Sequence, residues 1–227
     1  MLADRGTVIA AGIVLASGSP RRVEILNGIL NLEARVVPST FPEDLDKSLY
    51  TPEEYVKENA RREALEVYSR LQEQGAPAGM VVGADTVVIG PGETILEKPK
   101  TADAAKEMLA SLSGREHRVA TGVALIYSSS GGGTGGDDEA PHIDCFVEAT
   151  RVTFASLSQE VIANYVATGE PMDKAGGYGI QGLGGSFVSG IVGCYHNVVG
   201  FPMHAFCKHV DCARLAAWVR ARDVDGK

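Results

Sequence analysis

Apolar and polar positions along this chain fall into two periods, and the alternation of the two predicts an α/β protein. An apolar run closing at Ile13 to Ala16 has the pattern of a buried strand that ends at Ser17. Ser19 has the chemistry of an N-cap and Pro20 that of a first helical residue, so a helix is predicted to follow at once. Leu32 to Val37 read as a short strand. Thr51-Pro52-Glu53-Glu54 is a capping box, and it opens a helix to about Gln72 with Tyr55, Ala60, Ala64, Val67 and Leu71 on one side. Gly75 and Pro77 stop that helix. Met80 to Ile89 form an apolar strand interrupted by Gly83 and the polar pair Asp85 and Thr86, and Pro91-Gly92 turns the chain toward Thr94 to Leu96.

The second half continues the alternation. Thr101 caps a helix through Leu112, with Asp103 in its first turn. Two long strands, rich in β-branched residues, are predicted at about 118–127 and 143–154. Between them Gly131-Gly132-Gly133 and Gly135-Gly136 run into Asp137-Asp138-Glu139. No helix follows these glycines and the run ends in acid, so 128–142 reads as a flexible hairpin insertion and not as a phosphate loop. Ser158 opens a helix ending near Thr168, and Pro202 begins a last one to about Arg222, packed through Phe206, Val210, Leu215 and Trp218. The resulting organisation is an N-terminal extension at 1–12, one α/β domain at 13–222 and a tail at 223–227.

Composition narrows the function classes. The 227 residues are 44% hydrophobic and 22% charged, enough to bury a sizeable core. The formal net charge of -8 argues against a nucleic-acid partner, because that binding depends on an excess of Lys and Arg. No stretch has the pattern of a signal peptide or the length of a membrane span, which predicts a cytoplasmic protein with no membrane partner. The cysteines at 145, 194, 207 and 212 form no C-x-x-C pair and fit a reducing compartment. His204, Cys207, His209 and Cys212 are zinc ligands by type, but on one helix only 204 and 207 share a face, so no zinc site is expected.

Candidate chemistry lies in two stretches. Leu15-Ala16-Ser17-Gly18-Ser19-Pro20-Arg21-Arg22 brings backbone donors, a helix N-terminus and two guanidinium groups to a strand-to-helix turn, which suits an anion. The plainer alternative is a capped helix with solvated arginines. Gly83-Ala84-Asp85-Thr86 puts a carboxylate into an apolar strand, where it must be paired, metal-bound or protonated. Glu97-Lys98-Pro99 adds an ammonium, and Glu43 and Asp44 lie in the loop between. Such a set suits a polyphosphate with a divalent cation, whose hard ligands are carboxylate and phosphate oxygens.

These stretches, with Leu112-Ser113-Gly114, His117, Thr121-Gly122 and Asp173-Lys174-Ala175-Gly176-Gly177-Tyr178-Gly179-Ile180-Gln181-Gly182, resemble the Maf family of nucleoside triphosphate pyrophosphatases from residue 15 to about 206. The resemblance implies an elongated mixed β-sheet flanked by helices, two lobes around a central cleft, and a homodimer. It implies cleavage between the α and β phosphates of a nucleoside triphosphate, with Mg²⁺ or Mn²⁺ as cofactor. By position Asp85 matches the general base, Glu43 and Asp85 the metal site, and Lys98, Ser17 and Arg22 the phosphate contacts. Arg21, Thr86 and Gln181 match positions tied to substrate choice. Gln181 carries an amide that can pair with a pyrimidine edge, which resembles the dTTP- and UTP-preferring branch. The alternatives are the branch acting on 7-methylguanosine triphosphate and a regulatory septum-formation factor working through protein binding. One position departs from the family: Glu63 stands where the pattern has a lysine. Arg61, Arg62 or Lys57 could substitute, or Glu63 could join the metal site.

Overall fold

A computed structural model of the chain describes residues 2, 4–42, 44–129 and 140–225, with side chains to residue 222. Glu43 and the glycine run at 130–139 therefore lie outside the described residues. The order of elements is α1 (Arg5–Ala11), β1 (Ile13–Leu15), α2 (Pro20–Val23) continuing into a π-helical turn (Glu24–Ile29), β2 (Arg35–Val36), α3 (Pro52–Glu73), β3 (Met80–Ile89) and β4 (Ile95–Leu96). Then come α4 (Ala102–Leu112), β5 (Glu116–Tyr127), β6 (His142–Phe154), α5 (Gln159–Ala167), β7 (Val188–Val192), α6 (Tyr195–Val199), α7 (Met203–His209) and α8 (Cys212–Asp225).

The strands form one mixed sheet in the order β2-β1-β3-β5-β6-β7, with β4 added to β3. β1 pairs in parallel with β2 and β3, whereas β4, β5, β6 and β7 pair antiparallel with their neighbours. β5 occupies one edge of β3 from Met80 to Ile89. On the other edge β1 pairs only with Met80 to Val82, and β4 only with Val88 and Ile89. Residues 83–87 are thus left facing a gap in the ladder. That gap holds the Asp85-Thr86 pair.

Strand alternation distributes the core over both faces. Val14, Val81, Ala124 and Ile126 pack on Ala60, Ala64, Val67 and Leu71 of α3. Ile13, Leu15, Val82 and Leu125 pack on the opposite side with Ile25, Leu26, Phe201, Phe206 and Trp218. Toward the far end, Val88, Val119 and Phe154 join Leu109 of α4 and Ile162 of α5.

The helix α3 lies unusually close to the sheet because two strand positions on its face lack a side chain. A Cβ on Gly83 would stand 2.2 Å from the Ala60 carbonyl oxygen, and one on Gly122 would stand 2.4 Å from Val56 backbone atoms. The predicted capping box fixes the start of α3. Thr51 Oγ1 accepts from the Glu54 N–H at 3.2 Å, and a Glu54 carboxylate oxygen accepts from the Thr51 N–H at 2.9 Å.

Several expectations change. The strand predicted over Leu32 to Val37 contracts to Arg35–Val36, with Asn31 and Glu33 at positive φ before it. Ser19 occupies the N-cap position but makes no side-chain cap; instead the Ser17 hydroxyl accepts from the Ser19 N–H at 3.3 Å. The single helix from Pro202 breaks at Val210, which is extended. There the Tyr127 hydroxyl accepts from the Asp211 N–H at 2.9 Å, and the Asp211 carboxylate caps the next helix through Ala213 and Arg214. Residues 1–12 contain a helix, whose Val8 and Ala11 are buried in the core. β7 and α6 had no counterpart in the pattern.

The glycine contact yields a stability test. Adding a methyl at Gly83 drives it into helix backbone, and such overpacking typically costs about 1 to 3 kcal/mol. Gly83→Ala should lower the unfolding free energy measured by denaturant titration by an amount in that range, while Gly190→Ala, whose Cβ meets nothing closer than 3.9 Å, should leave it nearly unchanged.

Candidate active site

The site grows out of the gap beside β3. A cavity of about 850 Å³ opens there, lined by Ser17, Arg22, Asp85, Lys98 and Gln181 among others. It therefore brings together every predicted site residue that the structure describes, since Arg21 and Thr86 line it too. Glu43 lies outside the described residues.

The turn after β1 supplies one wall. Arg22 extends across it with its guanidinium fixed in several directions: Nε donates to the Gly200 carbonyl at 3.1 Å, one terminal nitrogen to Ser17 Oγ at 2.9 Å and the other to Thr86 Oγ1 at 3.1 Å. Arg21 points elsewhere. It reaches Asp173 on the far side of the cavity, donating to the carboxylate at 3.1 Å and the carbonyl at 3.2 Å. Lys174 donates to the same carboxylate at 2.6 Å. Burial raises the Asp173 pKa, but the hydrogen bonds from Lys174 and Arg21 outweigh it and hold the carboxyl below its ordinary value.

β3 supplies the floor. Asp85 faces α3, where Asn59 donates its amide N–H to Oδ2 at 2.9 Å, and the Thr86 N–H donates to Oδ1 at 2.7 Å. The second contact is possible because the Thr86 amide stands at the gap, where no neighbouring strand takes it. Asn59 is only 2% exposed, and Glu63, one turn further along α3, is 8% exposed and also lines the cavity. Sequence reading passed over Asn59. The signal was present: an amide among Tyr55, Ala60 and Ala64 on the buried stripe of a helix requires a partner.

Around the departure at Glu63, Arg61 and Arg62 both turn to Glu58, at 2.9 and 2.6 Å, and Glu63 lines the cavity. Among the described residues no group of three or more His, Cys, Asp and Glu side chains gathers as a metal cluster. Asp85 and Glu63 nevertheless line one cavity with hard oxygen donors, a chemistry that suits Mg²⁺ or Mn²⁺ once phosphate oxygens complete the shell.

The opposite wall is the segment Ala175 to Gly185. Gly176 sits at φ 67°, its N–H bonded to the Glu97 carbonyl at 3.2 Å, and a Cβ there would press to 2.7 Å from Val88. That bond fastens the segment beside Lys98, which is exposed and directed to the cavity. Glu97 itself turns away, accepting from Tyr55 at 2.7 Å and Lys47 at 2.5 Å. Behind the segment, Tyr178 and His117 Nε2 share a hydrogen bond of 2.9 Å, and Phe154 meets the imidazole edge-on with centroids 4.8 Å apart.

A family model described as Maf-like protein matches residues 12–212. A Clostridium perfringens (strain 13 / Type A) protein named dTTP/UTP pyrophosphatase is 46% identical over 199 residues, 88% of this chain and 95% of that protein. A Thermococcus onnurineus protein of the same name is 46% identical over 196 residues, covering 86% and 95%. A human protein named "Probable bifunctional dTTP/UTP pyrophosphatase/methyltransferase protein" is 48% identical over 208 residues, 90% of this chain but 32% of its own length. The chain thus spans about a third of the human relative.

Burial of His117, which is 4% exposed, gives the site a pH signature. Desolvation lowers its pKa from 6.5 to about 4. As pH falls below 6.5 the unfolded chain takes up a proton that the folded chain refuses until about pH 4, so stability is full above 6.5 and drains away between those values. The loss is on the order of 3 kcal/mol. Urea unfolding at pH 7 and pH 5 should show His117→Gln losing less stability on acidification than the parent chain.

Proposed function

Since the chain belongs to the Maf-like protein family, we infer that it is a nucleoside triphosphate pyrophosphatase that hydrolyses dTTP and UTP to the monophosphate and pyrophosphate. The observation that carries this reading is the convergence of Asp85, Lys98, the Ser17 to Arg22 turn and the Gln181 segment on one cavity. The names of relatives that match nearly end to end support the choice of substrate. The free thiols of Cys145, Cys194, Cys207 and Cys212 support a reducing, cytoplasmic compartment.

In this reading the triphosphate lies along the turn. Arg22, already fixed by Ser17, Thr86 and the Gly200 carbonyl, meets it without reordering. Lys98 provides a mobile positive charge on the opposite side. Asp85, oriented by Asn59 and the Thr86 N–H, accepts the proton of a water whose oxygen bonds to phosphorus at the α–β bridge. The bridging P–O bond breaks and pyrophosphate leaves, its charge met by Arg22 and Lys98. Asp85 and Glu63, with Glu43 as a further carboxylate, would hold a divalent cation together with phosphate oxygens, and it would supply charge neutralisation and lower the pKa of water. Gln181 offers a donor and an acceptor to the base.

Two outcomes test the assignment. Asp85→Asn keeps the shape but cannot take the proton, so turnover should fall by about 10²- to 10⁴-fold with nucleotide affinity largely kept; pyrophosphate release and binding isotherms measure both, and near-normal turnover removes Asp85 from the chemistry. Gln181→Ala should lower kcat/KM for dTTP and UTP by about ten- to a hundredfold while changing ATP hydrolysis far less. A parent enzyme that prefers a purine triphosphate across a nucleotide panel would defeat the substrate assignment.

A further inference from the structure

The segment that carries Gln181 is closed on itself by a carboxylate the substrate reading does not use. Glu170 belongs to the short 3-10 turn Glu170–Asp173, which follows Gly169 at φ 78°. Its Oε2 accepts from the Leu183 N–H at 3.0 Å, and its Oε1 from the Gly184 N–H at 3.2 Å and the Tyr165 hydroxyl at 2.9 Å. The Tyr165 oxygen in turn accepts from the Gly179 N–H at 3.3 Å. Both ends of the stretch from Gly179 to Gly184 are therefore fastened to one Glu170–Tyr165 pair, and Ile180, Gln181 and Gly182 project between the fastenings into the cavity wall.

The fit leaves no slack. A Cβ on Gly182 would stand 2.4 Å from Glu170 Oε1, one on Gly184 2.7 Å from the Tyr165 hydroxyl, and one on Gly179 2.4 Å from Lys174 Cε. Lys174 adds a strap by donating to the Glu170 carbonyl at 2.8 Å. Burial raises the Glu170 pKa, but the Gly184 and Leu183 amides and Tyr165 outweigh it, which keeps the carboxylate charged among its donors. The same turn ends in Asp173, which holds Arg21. The turn thus touches both Arg21 and the stretch that carries Gln181.

We propose that Glu170 is a positioning residue for base selection: its carboxylate, through the amides of Leu183 and Gly184, holds Gln181 in the shape that distinguishes one nucleobase from another. The proposal rests on the dTTP/UTP reading and deepens it. Glu170 lines the cavity, but both of its carboxylate oxygens are already committed to the Leu183 and Gly184 amides and the Tyr165 hydroxyl. Its removal acts on the recognition segment, so the effect falls on KM and selectivity and not on the chemical step.

The test is a double-mutant cycle read by steady-state kinetics with dTTP and ATP. Glu170→Ala should raise KM for dTTP about ten- to a hundredfold with kcat changed far less, flattening the dTTP/ATP ratio toward that of Gln181→Ala. The double variant should be scarcely worse than Gln181→Ala alone, because both substitutions remove one interaction. Glu170→Gln, which keeps one acceptor oxygen, should recover part of the selectivity. Hydrogen exchange on the intact chain gives a readout independent of substrate. The Leu183 and Gly184 amides should lose protection in Glu170→Ala while the β3 and β5 amides keep theirs. Tyr165→Phe provides a milder variant with the same direction of change if Glu170→Ala folds poorly. Additive losses in the cycle, or selectivity kept in Glu170→Ala while Gln181→Ala loses it, would overturn the inference alone. Unchanged protection at Leu183 and Gly184 would do the same. Selectivity unaffected by Gln181→Ala would remove the base-reading assignment, and the role of Glu170 with it.

Discussion

The close contact of α3 with the sheet is the constraint on which the site depends. A helix usually stands about 10 Å from a sheet because side chains fill the space between. Here Gly83 and Gly122 withdraw theirs, and the backbone of α3 at Val56 and Ala60 settles onto β3 and β5. Gly122 is the direct partner of Asp85 across the ladder. The approach is therefore close right beside the carboxylate that the site needs. It brings Asn59 within hydrogen-bond reach of Asp85 and sets Glu63 at the cavity wall. The polar groups at this contact are oriented by packing more than by their own attractions, an economical way to hold a charge in a fixed direction.

Much of this was readable before any coordinates. The capping box at Thr51, the strand carrying Asp85 and Thr86 and the turn from Ser17 to Arg22 rest on local chemistry, which a sequence states directly, whereas the segment around Gln181 reads locally as a glycine-rich loop and was singled out only by its resemblance to the family. The misses have a common physical origin. Ser19 looks like a cap, yet Ser17 performs the hydrogen bond, because choosing between two serines depends on where Arg22 reaches. The helix after Pro202 has no glycine or proline near residue 210, and a tyrosine from β5 decides where it breaks. Asn59 sat inside a recognised helix, but its partner is 26 positions away. In each case the deciding group comes from a distant element.

Electrostatics divide the cavity unevenly. The chain is acidic overall, with a formal charge of -8, but the turn after β1 carries two cations, of which Arg22 donates to Ser17, Thr86 and the Gly200 carbonyl. Arg21, one residue earlier, is held by Asp173 instead. Arg21 therefore meets an incoming anion only by exchanging one negative partner for another.

The ladder between β5 and β6 runs without a break from Glu116 opposite Thr153 to Tyr127 opposite His142, behind the whole length of the cavity. It is a spine. Bending the molecule at its middle to widen the cavity would shear hydrogen bonds that are in register on both sides of β5. The exposed Arg21–Asp173 ion pair, by contrast, lies outside this ladder and can part at little cost. Asp85 therefore stands on the part of the molecule whose backbone is bonded to β5 along its whole length, and its position is inherited from that frame and not from the loops around it.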